Sequence, residues 1–334
     1  MDYRECARAR QDQLTKPPGS LGRLEELAVQ LAGIQRSERP DARPAAAVLF
    51  ASDHPVTAHG VSAYPSSVTA AMMANFAAGR AASTVFAADL GVPLEVVDVG
   101  VGSPYPSGLT LRREEVASAQ AGDLRTEDAM TPEVFGAALA AGAAAVDRLA
   151  GVRVLILGEM GIGNTTPASA VASALLGLPP EQIVGAGTGV QGEALERKRQ
   201  VVADALARGV DRRDPREALR TLGGREIAAL AGAALRARER GIAVLVDGFI
   251  VSAAVLAAAR IEPGLAEHLI FAHRSAEPGH DAILNALSAA PLLDLRLRLG
   301  EGSGALCALP LLDLACSMHN RMATFEEAGI EGPV

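Results

Sequence analysis

At 334 residues the chain exceeds the usual reach of one hydrophobic core, so a large domain with a smaller companion is the natural expectation. Its apolar half is mostly Ala, Leu and Val, with no Trp and only 3% aromatics, which argues against interleaved stacking platforms. A net charge of -8 carries no basic footprint for nucleic acid, and a small-molecule ligand fits better.

The first residues, MDYRECARARQDQL, are charged throughout and lack the apolar run of an export signal, so none is expected. Cys6, Cys307 and Cys316 form no CxxC and are odd in number, which argues against a disulfide framework or zinc site and for a reducing compartment. Ser20 is placed to cap a helix carrying Leu21, Leu24, Ala28 and Leu31 on one face.

Six runs rich in β-branched residues or Leu follow, at 46–54, 93–102, 152–161, 181–189, 242–249 and 268–275. Each ends in a Gly- or Asp-containing turn before an Ala-rich helical pattern, the mark of a parallel α/β sheet whose strands are buried on both faces. The longest apolar stretch, Ile242 to Ala259, is broken by Asp247 and Gly248 and reads as a strand followed by a helix, not a membrane span. Beyond the last run, Leu306, Leu309, Leu312 and Leu314 fall in a further helical segment. The expected architecture is a parallel, Rossmann-like sheet flanked by helices. Residues 41–305 would form the large α/β domain carrying the active site, with 1–40 and about 306–334 packing together as a small helical domain.

In such a sheet, ligands lie beyond the carboxyl ends of the strands, so the turns carry the information. In Gly158-Glu-Met-Gly-Ile-Gly-Asn-Thr-Thr166 a strand gives way to a helix start able to hold one phosphate. Asn164 stands where the NTPase phosphate loop needs Lys, which disfavours ATP hydrolysis; a turn made Gly-rich for packing is the alternative. Gly185-Ala-Gly-Thr-Gly189 is a second such turn. Lys198 offers a phosphate cation, although a charge run on a helix is usually a solvated face. Asp247 ends an apolar strand, where a carboxylate either accepts backbone or ribose hydrogen bonds or caps a helix. The turn 272–280 gathers His273, Arg274, Ser275, Glu277 and His280, but without the helical spacing of a metal site, so polar recognition or loop support is preferred. Glu301 lies between two glycines before an apolar helix: either an exposed reactive carboxylate or a charge facing the helix dipole.

Taken together, LTKPPGSLGRLE (14–25), VSAYP (61–65), GEMGIGNTT (158–166), GAGTG (185–189), DGFI (247–250), AHRSAEPGH (272–280) and LRLGEGSGA (297–305) resemble the nicotinate-nucleotide–dimethylbenzimidazole phosphoribosyltransferases, in order and in spacing. The resemblance implies a cytoplasmic homodimer, without cofactor or metal. It would transfer phosphoribose from nicotinate mononucleotide to 5,6-dimethylbenzimidazole with inversion, giving α-ribazole 5′-phosphate and nicotinate. By motif, Glu301 is the implied general base, and Glu159, Gly161 and Gly163 line the nucleotide site. Gly187, Thr188, Gly189, Lys198, Asp247, Gly248 and Ser275 are expected around ribose and phosphate, and Ser62, Tyr64, Pro65 and Leu299 around the base. Burial among Leu299 and its neighbours is expected to raise the Glu301 pKa. Departures from the family pattern at Ser52, Pro55 and Ala71 are expected to bear on base selectivity.

Two rivals share this architecture. A dinucleotide-dependent dehydrogenase is opposed by the first turn, SDHPV, which has no GxGxxG. A nucleotide-binding protein without catalysis is separated from an enzyme by base-dependent release of nicotinate.

Overall fold

The computed structural model describes residues 1–109, 111–209, 211 and 214–332. Six parallel strands, β1 (Ala45–Ser52), β2 (Leu94–Gly100), β3 (Arg112–Arg113), β4 (Val154–Met160), β5 (Ala243–Val246) and β6 (Leu269–Phe271), form one sheet in the order β3-β2-β1-β4-β5-β6. The order reverses between β1 and β4, which opens the crevice that binds ligands in doubly wound sheets. Every residue of β1 and β5 is buried, as continuous apolar runs require.

The run at 181–189 is not a strand. Only Ile183 and Val184 in it are large and apolar, and Pro180 at its head starts a short helix, Pro180–Ile183, from which the glycine segment departs as a loop. Instead, the two-residue edge strand β3 pairs with β2. Its exposed arginines carry no apolar signal.

Against one face of the sheet, helices Pro132–Asp147 and Arg225–Glu239 pack closely because Gly142 and Gly232 leave room: a Cβ on either would strike the other helix's backbone. Against the other face, Leu27, Leu31, Leu306, Leu309 and Leu312 join Val154, Ile156 and Leu245 in one apolar cluster. The termini meet there, with Leu14 bridged to Thr324 and Arg10 donating to the His319 carbonyl at 2.8 Å. Ser20 does not cap the helix after it, Arg23–Gln35, whose N-cap is Gly22. Glu25 reaches back to the amides of Gly19 (3.1 Å) and Leu21 (2.9 Å), so Ser20 and Leu21 form a turn and Leu21 is exposed. Leu314 likewise faces outward. No helix among the described residues is long and apolar enough to cross a membrane.

Candidate active site

Loops at the carboxyl ends of β4, β5 and β6 enclose a cavity of about 480 Å³ with the segment 64–72 and the stretch 298–301. Six of the seven segments singled out from sequence converge on it, 14–25 being the exception, and not every residue in those six faces it.

After β4 the chain turns through Gly161 to the helix Thr165–Leu176. Gly161 lines the cavity and backs onto the Ser52 carbonyl and the His54 ring, where a Cβ would not fit. Gly163 (φ +89°) lies outside the lining and packs on the Thr57 methyl, so the two glycines divide access and packing between them. Asn164 and Thr165, unforeseen as site residues, do line it.

The Gly185–Gly189 loop faces this helix start and is pinned from four sides. Gly187 N–H donates to Glu277 Oε1 (2.9 Å), the Gly187 carbonyl accepts from Arg298 Nη1 (3.0 Å), and the Gly185 carbonyl accepts from Lys198 Nζ (3.0 Å). Thr188 Oγ1 accepts from the Ala63 amide (2.9 Å) and contacts Ser62 Oγ (3.1 Å). Gly187 and Thr188 line the cavity, whereas Gly189 and Ser62 are outside the lining, Ser62 bracing Thr188. The charge run on helix Glu193–Ala207 is not wholly solvated: Lys198 is fully buried, with Nζ 2.7 Å from Thr165 Oγ1 and just behind Gly187. Burial pulls its pKa down to about 8, with Glu277 acting in the opposite sense.

Two carboxyl groups stand at the other end. Glu159 is buried, accepts from Asn164 Nδ2, and has its pKa pushed up to about 8, chiefly by burial. The Asn164 bond opposes that rise, while Asp247, Glu226 and Glu301 add to it. Glu301 occupies a left-handed conformation (φ +62°) between Gly300 (φ +87°) and Gly302 (φ +75°). Such a backbone is costly for a side-chain-bearing residue and points to a constrained function. Its carboxyl accepts from Ser83 Oγ (3.3 Å), a buried residue of helix Ala82–Asp89 that no sequence signal marks. Burial raises the Glu301 pKa, Ser83 opposes the rise and Asp247 reinforces it. Leu299 is not what buries it: that side chain is 59% exposed at the cavity mouth.

Asp247 is outside the lining. Its two oxygens accept from the amides of Gly302 (3.2 Å) and Ala305 (2.9 Å), capping the helix Ser303–Arg321 that follows Glu301. Gly248 and Ser275 do line the cavity. The histidines of the 272–280 turn are structural neighbours, with ring centroids 6.3 Å apart. His280 accepts from the Ser275 amide (2.8 Å) and pairs with Ser252 Oγ (2.9 Å), and burial drives its pKa down to about 3, keeping it neutral. His273 lines the cavity and lies 3.6 Å from Asp247. Among the described residues no group of three His, Cys, Asp or Glu is placed to hold a metal ion.

The 61–72 segment corrects another expectation. Tyr64 lines the cavity but Pro65 does not, and neither do Ser52, Pro55 or Ala71. Ser52 is buried at the end of β1, Pro55 opens a 3-10 turn, and Ala71 is exposed. The apolar wall is made instead by Val68 and Met72, spaced i, i+4 on helix Ser67–Ala77.

A phosphoribosyltransferase family model matches residues 1–330. A nicotinate-nucleotide–dimethylbenzimidazole phosphoribosyltransferase of Xanthomonas axonopodis pv. citri (strain 306) is 52% identical over 329 residues, covering 98% of this chain and 94% of its own. One of the same name from Bradyrhizobium sp. (strain ORS 278) is 51% identical, covering 99% and 95%. The crystal structure of CobT from Thermus thermophilus superimposes with a TM-score of 0.93 at 47% identity over 100% of both chains.

Proposed function

This chain belongs to the nicotinate-nucleotide–dimethylbenzimidazole phosphoribosyltransferases, and from that premise we propose that it transfers phosphoribose from nicotinate mononucleotide to 5,6-dimethylbenzimidazole with Glu301 as the general base. The observation that carries the role of Glu301 is its strained, buried carboxyl, lining the cavity and held by the amide and hydroxyl of one residue, Ser83. Glu159 suits the part less well, because at neutral pH it holds its proton and Asn164 occupies one oxygen.

The phosphate lies at the start of helix Thr165–Leu176, against the Gly187–Thr188 loop, with the Lys198 charge behind both. Arg298 lines the same end. Tyr64, Val68, Met72 and Leu299 offer apolar surface to the benzimidazole ring. One ring nitrogen attacks the anomeric carbon as its bond to the pyridinium nitrogen breaks, and nicotinate leaves with that electron pair. The proton on the other ring nitrogen passes to Glu301. Attack opposite the leaving group turns the β-nucleotide into the α-product, so no covalent nucleophile is required.

A cytoplasmic homodimer belongs to the same reading. Exposed Val85 and Phe86, and Leu314 on the adjoining helix, offer apolar surface that a second copy would cover. The division into a large domain, 41–305, and a small one of 1–40 with about 306–334 is part of the same reading, supported by contacts between helices near the two chain ends. The decisive assay supplies nicotinate mononucleotide with and without dimethylbenzimidazole. Base-dependent nicotinate release with formation of α-ribazole 5′-phosphate is expected; binding without either product would replace the enzyme by a nucleotide-binding protein.

A further inference from the structure

The Glu301 turn is restrained from two opposite directions. On the backbone side, the buried carboxylate of Asp247 accepts from Gly302 and Ala305, the residues that convert the left-handed turn into helix. On the side-chain side, the fully buried Ser83 hydroxyl donates to Glu301 Oε2. We propose that Asp247 and Ser83 are positioning residues for the reaction, together fixing where the Glu301 carboxyl stands and over what pH range it serves as a base.

The inference rests on the assignment of Glu301 as the base. Titratable groups stand on the elements around that turn: Glu159 near the end of β4, Asp247 after β5, and His273 after β6 beside Asp247. Ser83 comes from helix Ala82–Asp89, and Cys307, a free thiol, from the helix beginning at Ser303. Arg298, nearest in sequence, is engaged by the Gly187 carbonyl. A negative neighbour resists ionisation of Glu301, whereas a hydroxyl donor favours it. Asp247 and Ser83 therefore push its protonation in opposite senses, beyond a basal rise caused by burial.

The test is the pH profile of the single-turnover rate at saturating substrates for the wild type, Asp247→Asn, Ser83→Ala and Glu301→Gln. In Asp247→Asn the acid limb should move to lower pH, by less than the opposite displacement expected of Ser83→Ala. In Ser83→Ala it should move to higher pH by roughly half a unit, with KM for the nucleotide changed less than about threefold. A merely structural role would lower the rate at all pH values without moving the limb, and that result, or shifts of the same sign, overturns the proposal. Ser83→Ala leaves the backbone bonds of the turn intact, so it decides alone if Asp247→Asn fails to fold. Glu301→Gln separates the two levels of inference: if it keeps the acid limb, Glu301 is not the base. If it abolishes the limb while Ser83→Ala leaves it unmoved, the positioning proposal alone fails.

Discussion

At the end of the cavity bounded by Thr165 and Gly187, polar groups are committed to one another. Lys198 holds Thr165 and the Gly185 carbonyl, Glu277 holds the Gly187 amide, and Arg298 holds the Gly187 carbonyl. At the opposite end the Glu301 carboxyl is held by Ser83, sits on a costly backbone and faces a second carboxyl in Glu159. A cradle for a constant anion gains from rigidity, because ordering is complete before the ligand arrives. A base must release its partners at the moment it takes a proton, and carboxyls crowded together hold protons more tightly. Polar groups that cross-link the loops thus mark the binding end, and a strained carboxyl beside a second carboxyl marks the reacting end.

The sharpest way to break this contrast is Glu301→Gln, which keeps shape and removes basicity. Turnover is expected to fall by roughly 10²–10⁴ with nucleotide affinity little changed. Near-wild-type turnover, measured as nicotinate release, would remove Glu301 from the chemistry and with it the division between the two ends.

A smaller effect is expected at the cross-linked end. Lys198→Ala should weaken nicotinate mononucleotide by roughly ten- to a hundredfold, the loss of the positive charge behind the loop, and the uncharged riboside far less. Because the free-enzyme pKa of Lys198 is lowered to about 8, its cation fades as pH rises through that value. Mononucleotide affinity should therefore fall above about pH 8 in the wild type, whereas the variant and the riboside give flatter curves. Calorimetric titration of both ligands across that range distinguishes a charge acting on phosphate from a lysine that only pins the loop, which would weaken both ligands alike.

The legibility of these two ends in the sequence differs for physical reasons. Strands β1, β2, β4, β5 and β6 announce themselves because burial on both faces demands unbroken apolar runs. The run before Gly185 resembles them, but two apolar residues after a proline do not sustain a strand, and β3 pairs through backbone alone with no apolar residue to reveal it. At the site, glycines flanking Glu301 signal an unusual backbone, and Gly187 and Thr188 a close approach. Lys198 is ambiguous in the sequence because a charged helix looks the same whether one lysine points inward or all point out. Ser83 leaves no trace: a lone serine in an Ala-rich helix acquires meaning only when folding brings it to a residue 218 positions away. Asp247 is visible as a buried carboxylate, but the backbone it caps lies 55 and 58 residues further along.

The smallest expected effect concerns the apolar wall, which belongs to neither charged end. From the sequence, Pro55 and Ala71 are expected to bear on base selectivity, yet neither lines the cavity, whereas Val68 and Met72 do. A wall that only packs against a ring distinguishes a methyl group by about 1–3 kcal/mol, and Met72 is one of several side chains sharing that contact. Met72→Ala should therefore lower the preference for dimethylbenzimidazole over benzimidazole by roughly three- to tenfold, seen as a ratio of kcat/KM values. Pro55→Gly should leave the ratio within about twofold, since the residue opens a turn outside the lining. Adenine should remain a poor acceptor in all three proteins, because its exocyclic amine would lose water against Val68 and Met72 without gaining a partner. A phenol should fare no better, its oxygen lacking the second ring nitrogen whose proton Glu301 removes. If Pro55→Gly changes the ratio more than Met72→Ala, selectivity is transmitted through the β1 turn rather than read by the wall itself. The route would then run through His54 and Gly161, which touch between that turn and the cavity.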